Sequence, residues 1–188
     1  MKRRAIFAFS VRRDCRGSAL LELAISLPLL VVFIVGIFDF SGAFNQKQKL
    51  EHAAQAGSIL AAAQPTSDIE TGNGNPRSLH PVVTSIFNAL RADGVVPGTC
   101  TLTIPAPPPP SGLSWTYNVA CGSDTLAITI NRGWVAADPN TTKTVGTAVT
   151  LSYPYHWRFN SAIQLLFPGA SFNTPQTITE TATVHNQT

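Results

Sequence analysis

The sequence predicts an α+β protein: a long N-terminal helix, transmembrane in its first half and amphipathic in its second, packed on a small head with an antiparallel sheet. Three observations predict it. Leu23–Phe38 is an uninterrupted uncharged run of sixteen residues. Helix-type spacing continues beyond it without a proline until Pro65. After Pro97 the period changes to two, the alternation of half-buried strands. The boundaries that follow are a basic leader at 1–17, the helix at 18–63 and the head at 64–188.

Charge is divided along the chain. Residues 1–17 carry Lys2, Arg3, Arg4, Arg12, Arg13 and Arg16 against Asp14, leaving seven of the 13 basic and nine of the ten acidic groups to the rest. The body is therefore slightly acidic and offers no phosphate-binding surface by charge, which disfavours a nucleic-acid partner. Cations ahead of an apolar run place the N-terminus in the cytoplasm and the head across the bilayer.

Ser18–Phe38 spans about 32 Å as a helix, enough for a bilayer core. The run is long for a secretory signal, and Asp39-Phe40-Ser41-Gly42 is a poor cleavage site. Arg13-Asp14-Cys15-Arg16 is too charged for a lipoprotein signal. A permanent membrane helix whose leader is removed on the cytoplasmic side fits better. Glu22 either stays hydrated at the interface or has a positive partner, because a carboxylate among membrane residues is costly. A cut between Gly17 and Ser18 would supply that partner as a new α-amino group, four residues before the acid.

Arg16-Gly17, then Glu22 five residues on, resembles a type IV prepilin processing site. The longer string GSALLELAISLPLL from Gly17, followed by Gly36-Ile-Phe-Asp-Phe, is similar to the TadE-like pseudopilins of tight-adherence (Tad/Flp) pilus systems. It differs at Leu23, where an aromatic residue is common in that group. The resemblance implies a prepilin peptidase that cuts after Gly17, Ser18 as the first mature residue, and Glu22 in processing or assembly. It also implies a pilin-like plan, with other pilins or pseudopilins, inner-membrane assembly proteins and the lipid bilayer as partners. Pro28, costly inside a soluble helix but tolerated in a membrane one, is the expected kink. Asp39 reads as a marker of the membrane exit.

Beyond the membrane, Leu50, Ala53, Ala54, Gly57 and Leu60 draw a narrow apolar stripe that continues the helix to Ala63. Pro65–Arg77 is turn-rich. A second helix is expected over Leu79–Ala92, capped by Ser78 and buried through Val82, Val83, Ile86, Phe87 and Leu90. Asp93-Gly94 closes it. Cys100, Leu102 and Ile104 alternate as a strand, and so do Tyr117, Val119 and Cys121 across the proline-rich Pro105–Gly112. An antiparallel register with Cys100 opposite Cys121 puts all six on one face and predicts a disulfide. Two unrelated buried thiols are the plainer alternative. Further strands are expected around Leu126–Ile130, over Thr144–Trp157 with Val145 to Tyr155 alternating inward, and near Gln176–His185. Glu180 falls on the apolar side of the last strand, which places it at an edge or an assembly contact. Ala162–Phe167 reads as one or two helical turns. Val149–Gly169 again resembles the ending of TadE-like chains.

His52, His80, His156 and His185 are scattered, and no metal-type cluster forms with the cysteines. No phosphate loop, nucleophile elbow or dinucleotide fingerprint is present. The sequence thus names no catalytic residue, metal or cofactor, and the expected protein is not an enzyme. With the resemblance, it is a minor pseudopilin-like structural or assembly subunit, single-pass in a bacterial inner membrane, its head periplasmic or carried into a pilus. The competing reading is an uncleaved bitopic envelope protein whose head binds a wall or membrane partner. An anchored enzyme comes third, for want of site chemistry.

Overall fold

In the computed structural model, residues 15–69, 76–104, 112–136, 144–159, 164, 169 and 175–186 are described. The expected leader up to residue 14, most of the proline-rich segment and all but Gln164 of the expected turn at 162–167 lie outside them. One helix, α1 (Cys15–Ala62), accounts for 48 residues and carries Pro28 inside it without ending. At 1.5 Å per residue it is about 72 Å long. A 3-10 turn at Arg77–Leu79 leads into α2 (His80–Ala92). Four strands follow: β1 (Ser114–Cys121), β2 (Asp124–Ala136), β3 (Thr144–Tyr155) and β4 (Gln176–His185). They pair antiparallel in the order β1-β2-β3-β4. The α+β expectation of a long helix on a small antiparallel sheet is the architecture observed.

Each element forms for a local reason. α2 buries Val82, Val83, Ile86, Phe87 and Leu90, as its spacing requires, and has Pro81 in its first turn, where a missing N–H costs nothing. Ser78 does not cap it. No side-chain cap bond is made, and the Ser78 hydroxyl and amide both donate to Asp68 instead, at 2.8 and 2.7 Å. β1 and β2 turn at Gly122-Ser123, where Gly122 has φ +70°, a left-handed conformation suited to a two-residue hairpin. Asn131 opposes Ala148 and Trp134 opposes Gly146, so β2 bulges at Arg132 and Gly133, and the Asn131 side chain accepts from the Gly133 amide at 2.9 Å.

Both helices lie on one face of the sheet. The core joins Leu50, Ala53, Ala54 and Ala61 of α1 and the buried face of α2 to Tyr117, Val119, Leu126, Ile128, Ile130, Val149, Leu151 and Tyr153. Of the expected α1 stripe, Leu60 is 41% exposed, and Ala61 one position later faces the core instead. Val145, expected inward, is 53% exposed because the bulge opposite has already turned that end of β3. On the other face a row of threonines, Thr116-Thr129-Thr150-Thr181, crosses all four strands in register. Thr116 bonds Thr129 and Thr150 bonds Thr181 through their hydroxyls, at 2.9 and 2.8 Å.

The expected pairing of Cys100–Ile104 with Tyr117–Cys121 is not made. Residues 101–104 have no strand structure, and the partner of β1 is β2, with Val119 opposite Leu126 and Tyr117 opposite Ile128. Pairing with β2 leaves the outer edge of β1 open, but the prolines that follow residue 104 cannot donate to a ladder there. Leu102 and Ile104 still pack partly buried against the core. Cys100 and Cys121 are joined as a disulfide, with Cα atoms 4.4 Å apart.

Gly57 is where α1 presses closest on the head. A Cβ there would lie 2.5 Å from Cδ1 of Ile86 and 3.6 Å from Cγ1 of Val149. Overpacking of a filled core costs about 1–3 kcal/mol, while alanine regains under about 1 kcal/mol of helix propensity. Gly57→Ala is therefore expected to lower the urea midpoint of the head, and adding Ile86→Val should return part of the loss.

Candidate functional site at the membrane helix and its junction with the head

Gly17, Ser18 and Glu22 lie in the first turns of α1 and are exposed. Ser18 and Glu22, four apart, share one side of the helix. A Cβ placed on Gly17 would meet no atom of the described residues within 4 Å, so the space beside it is open among them. From there to Phe38 the apolar side chains point outward all round: Leu20, Leu23, Ile25, Leu27, Leu30, Phe33 and Ile37 are all exposed. The most apolar 18-residue window of α1 has a mean hydropathy of 2.6 and buries nothing against the head. A helix hydrophobic on every side needs an apolar medium, lipid or other helices. By length and composition it can cross a bilayer.

Asp39 ends that surface, and it does more than mark the exit. It is 5% exposed. Its Oδ1 accepts from the Tyr155 hydroxyl at 2.7 Å, and its Oδ2 from the Phe159 amide at 2.7 Å. The same hydroxyl reaches the Asp39 carbonyl at 3.0 Å. The chain leaving β3 is thus fastened to the helix at the level where the apolar run stops. Gly42 makes room for it: a Cβ there would stand 2.6 Å from the Tyr155 oxygen, whereas one on Gly36 would sit in ordinary contact with the Phe159 ring at 3.8 Å. Trp157 packs edge-on against Phe40 and Tyr155, with centroids 5.5 and 5.2 Å apart. With exposed Phe38 and Phe44 this makes an aromatic collar, the composition that settles at a membrane–water boundary.

Higher on the helix, Lys47 pairs with Glu180 of β4 at 3.6 Å, which accounts for an acid on the apolar side of that strand. Lys49 donates to the Asp93 carbonyl at 2.7 Å, and Gln46 to the Pro154 carbonyl at 3.4 Å. Beyond the end of α1, Arg132 is 4% exposed and donates to the Gln64 carbonyl at 3.0 Å. Burial pulls its guanidinium below the ordinary value, and the Asp68 charge works against that pull. For Asp68, burial acts upward, but the Ser78 bonds and Arg132 outweigh it and hold the carboxyl low. Sequence reasoning did not single out Arg132. The signal was its parity with Leu126, Ile128 and Ile130, which points it inward.

Among the described residues no site of catalytic type appears. His156 meets both Asp124 oxygens at 2.9 Å in an exposed pair, and among the described residues no three His, Cys, Asp or Glu side chains could hold a metal. The perturbed groups are structural. Burial first, and then the hydrogen bond and charge of Asp39, push the Tyr155 phenol up to about 12. Burial, with a smaller push from Asp68, does the same to Tyr117, also to about 12. An unfolded phenol ionises near 10. Between about pH 10 and 12 the unfolded chain then binds fewer protons than the native head, and stability falls as pH rises. Urea midpoints should be level up to about pH 9 and decline above pH 10, with a shallower decline in Tyr155→Phe.

No curated protein and no solved structure matches this chain. Residues 17–58 match the family model of the TadE-like protein. The matched stretch begins at Gly17, includes Glu22, Asp39 and its flanking glycines, and ends one residue past Gly57, where α1 is pressed into the head. The likeness to TadE-like proteins is carried by this segment, the outward-facing apolar helix and its junction with the sheet.

Proposed function

We propose that this protein is a minor pseudopilin-like subunit of a tight-adherence pilus apparatus, and that its work is structural. The observation that carries the reading is the TadE-like match over a helix whose lower half is apolar on every side and whose upper half is locked to a small sheet. A TadE-like segment points to a pilus-associated subunit. The cations of the leader support an orientation with residues 1–17 on the cytoplasmic side, and insertion in a bacterial inner membrane comes with the pilus reading.

Processing is the finer step. A prepilin peptidase would cut after Gly17, leaving Ser18 to Ala63 as the membrane and core helix and 64–188 as the head. Helix α1 runs through that bond, so its first turns must open for cleavage. Terminal turns fray easily, and glycine costs about 1 kcal/mol in a helix relative to alanine, which lowers the barrier. Once cut, the new amine stands at the positive end of the helix dipole, an unfavourable place for a cation. Glu22, one turn in, answers that charge within its own helix or from a neighbouring subunit. Pro28 supplies a bend point where helices pack. Other pilins or pseudopilins and inner-membrane assembly proteins are the partners this arrangement calls for.

Mass mapping of the N-terminus tests the reading. A mature chain beginning at Ser18, dependent on prepilin peptidase, is expected. An intact leader in cells that hold active peptidase would overturn it and leave a bitopic anchor. Glu22→Ala should insert as well as the parent but accumulate outside the assembled complex.

A further inference from the structure

A cavity of about 400 Å³ opens on the side of α1 away from β4, between the helix, the loop after α2 and the segment following β3. Its floor is apolar, Val35 and Phe38. Its upper wall is polar, Asn45, Gln46 and Lys49, with Arg158 contributed by the head. From Val35 to Lys49 the helix rises about 21 Å, the distance over which a bilayer passes from hydrocarbon to headgroups and water.

The depth of Arg158 is fixed by its neighbours. Trp157 packs on Phe40, and the Phe159 ring reaches down over Gly36, one turn below Asp39. Aromatic side chains of this kind lodge at the interface. The Arg158 side chain is exposed, lines the cavity and makes no hydrogen bond or ion pair among the described residues. Lys49 spends one of its three donors on the Asp93 carbonyl and keeps two. The acid on the wall, Asp39, has each carboxylate oxygen already taken, by the Tyr155 hydroxyl and the Phe159 amide. The three charged side chains of the lining sum to +1. An anionic phosphodiester finds two donors here, and a headgroup ammonium finds no free carboxylate.

We propose that this cavity binds an anionic phospholipid of the leaflet on the head's side, with the phosphodiester on Arg158 and Lys49 and an acyl chain along Val35 and Phe38. The site requires only that α1 cross a bilayer. It goes beyond the pilus assignment and stands whether or not the leader is cut.

Native mass spectrometry of the full chain, titrated in mild detergent with phosphatidylglycerol or phosphatidylcholine, tests it. A retained phosphatidylglycerol adduct is expected, with phosphatidylcholine held several-fold more weakly. Arg158→Gln and Lys49→Gln should each weaken retention about fivefold, the scale of one basic residue at an anionic surface. Lys47→Gln removes the same charge on the β4 side and should leave retention unchanged. Equal retention of the two lipids, or an equal loss in Lys47→Gln, would overturn the site. Displacement of the adduct by inorganic phosphate at matched concentration would do so too, by showing an anion site with no need of the lipid. If Lys49→Gln melts early for want of its Asp93 contact, Arg158→Gln decides alone, since that side chain makes no hydrogen bond or ion pair among the described residues. A chain found uncut at Ser18 would end the pilus reading and leave these outcomes as they are.

Discussion

Asp39→Ala is expected to loosen the head from the membrane helix and to cost about 2–4 kcal/mol. The change strands the half-buried Phe159 amide, worth about 1–3 kcal/mol when left without a partner, and leaves the Tyr155 hydroxyl only the backbone carbonyl of residue 39 at 3.0 Å. It also opens a gap beneath the Tyr155 and Trp157 rings. Asp39→Asn should cost less, because its oxygen can still accept from Tyr155, although its NH2 then faces the Phe159 N–H, donor against donor. Tyr155→Phe removes the hydroxyl's contacts to the Asp39 side chain and carbonyl, about 1–3 kcal/mol. Two measurements check the ranking: urea unfolding of the full chain in detergent, and hydrogen exchange at the Phe159 amide. An Asp39→Ala protein that unfolds within about 0.5 kcal/mol of the parent would show the junction to be ornamental, because surface changes fall in that range.

Removing the Cys100–Cys121 bridge by a double serine substitution is expected to destabilise the head by about 3 kcal/mol, the loop-entropy value for a separation of 21 residues. The loss should be local in character. β1 keeps its ladder to β2 without the bridge, whereas Leu102 and Ile104 have no ladder and only partial burial to hold them. Protection at the Val119 and Tyr117 amides should therefore outlast burial of residues 101–104. A reductant should reproduce the shift in the parent and leave the double variant unmoved. A parent whose urea midpoint is indifferent to reductant would exclude the bridge as a brace.

The parts legible in the sequence were those written as a period. Leu50, Ala53, Ala54 and Gly57, the inward face of α2, and the alternation of β4 and of β3 from Val149 lie where spacing puts them, because burial on one side is what that spacing encodes. Glu180 was legible as a misfit, and its partner was not: nothing local says that Lys47, 133 positions earlier, stands opposite. Asp39 was read as an exit marker because a charge after an apolar run has that ordinary explanation. Its burial depends on Tyr155 and Phe159, more than a hundred residues away, and the local hint was Gly42, three residues on. The Cys100–Ile104 pairing failed in its backbone: the face was right, since Leu102 and Ile104 still pack against the core, but residues 101–104 form no ladder and prolines follow them.

The grip at Asp39 and the longer contact from Leu50 to Ala62 seize the same unbroken helix at two heights. No swivel separates the part a bilayer would surround from the part that carries the sheet. Each residue of helix is a turn of about 100°. The bearing on which the outer threonine row points is therefore set by whichever side of the lower helix is taken up by its neighbours. One alanine inserted between Val31 and Val35 would leave both halves intact and swing the head about a quarter of the compass, so that a surface facing inward in an assembly would face along it.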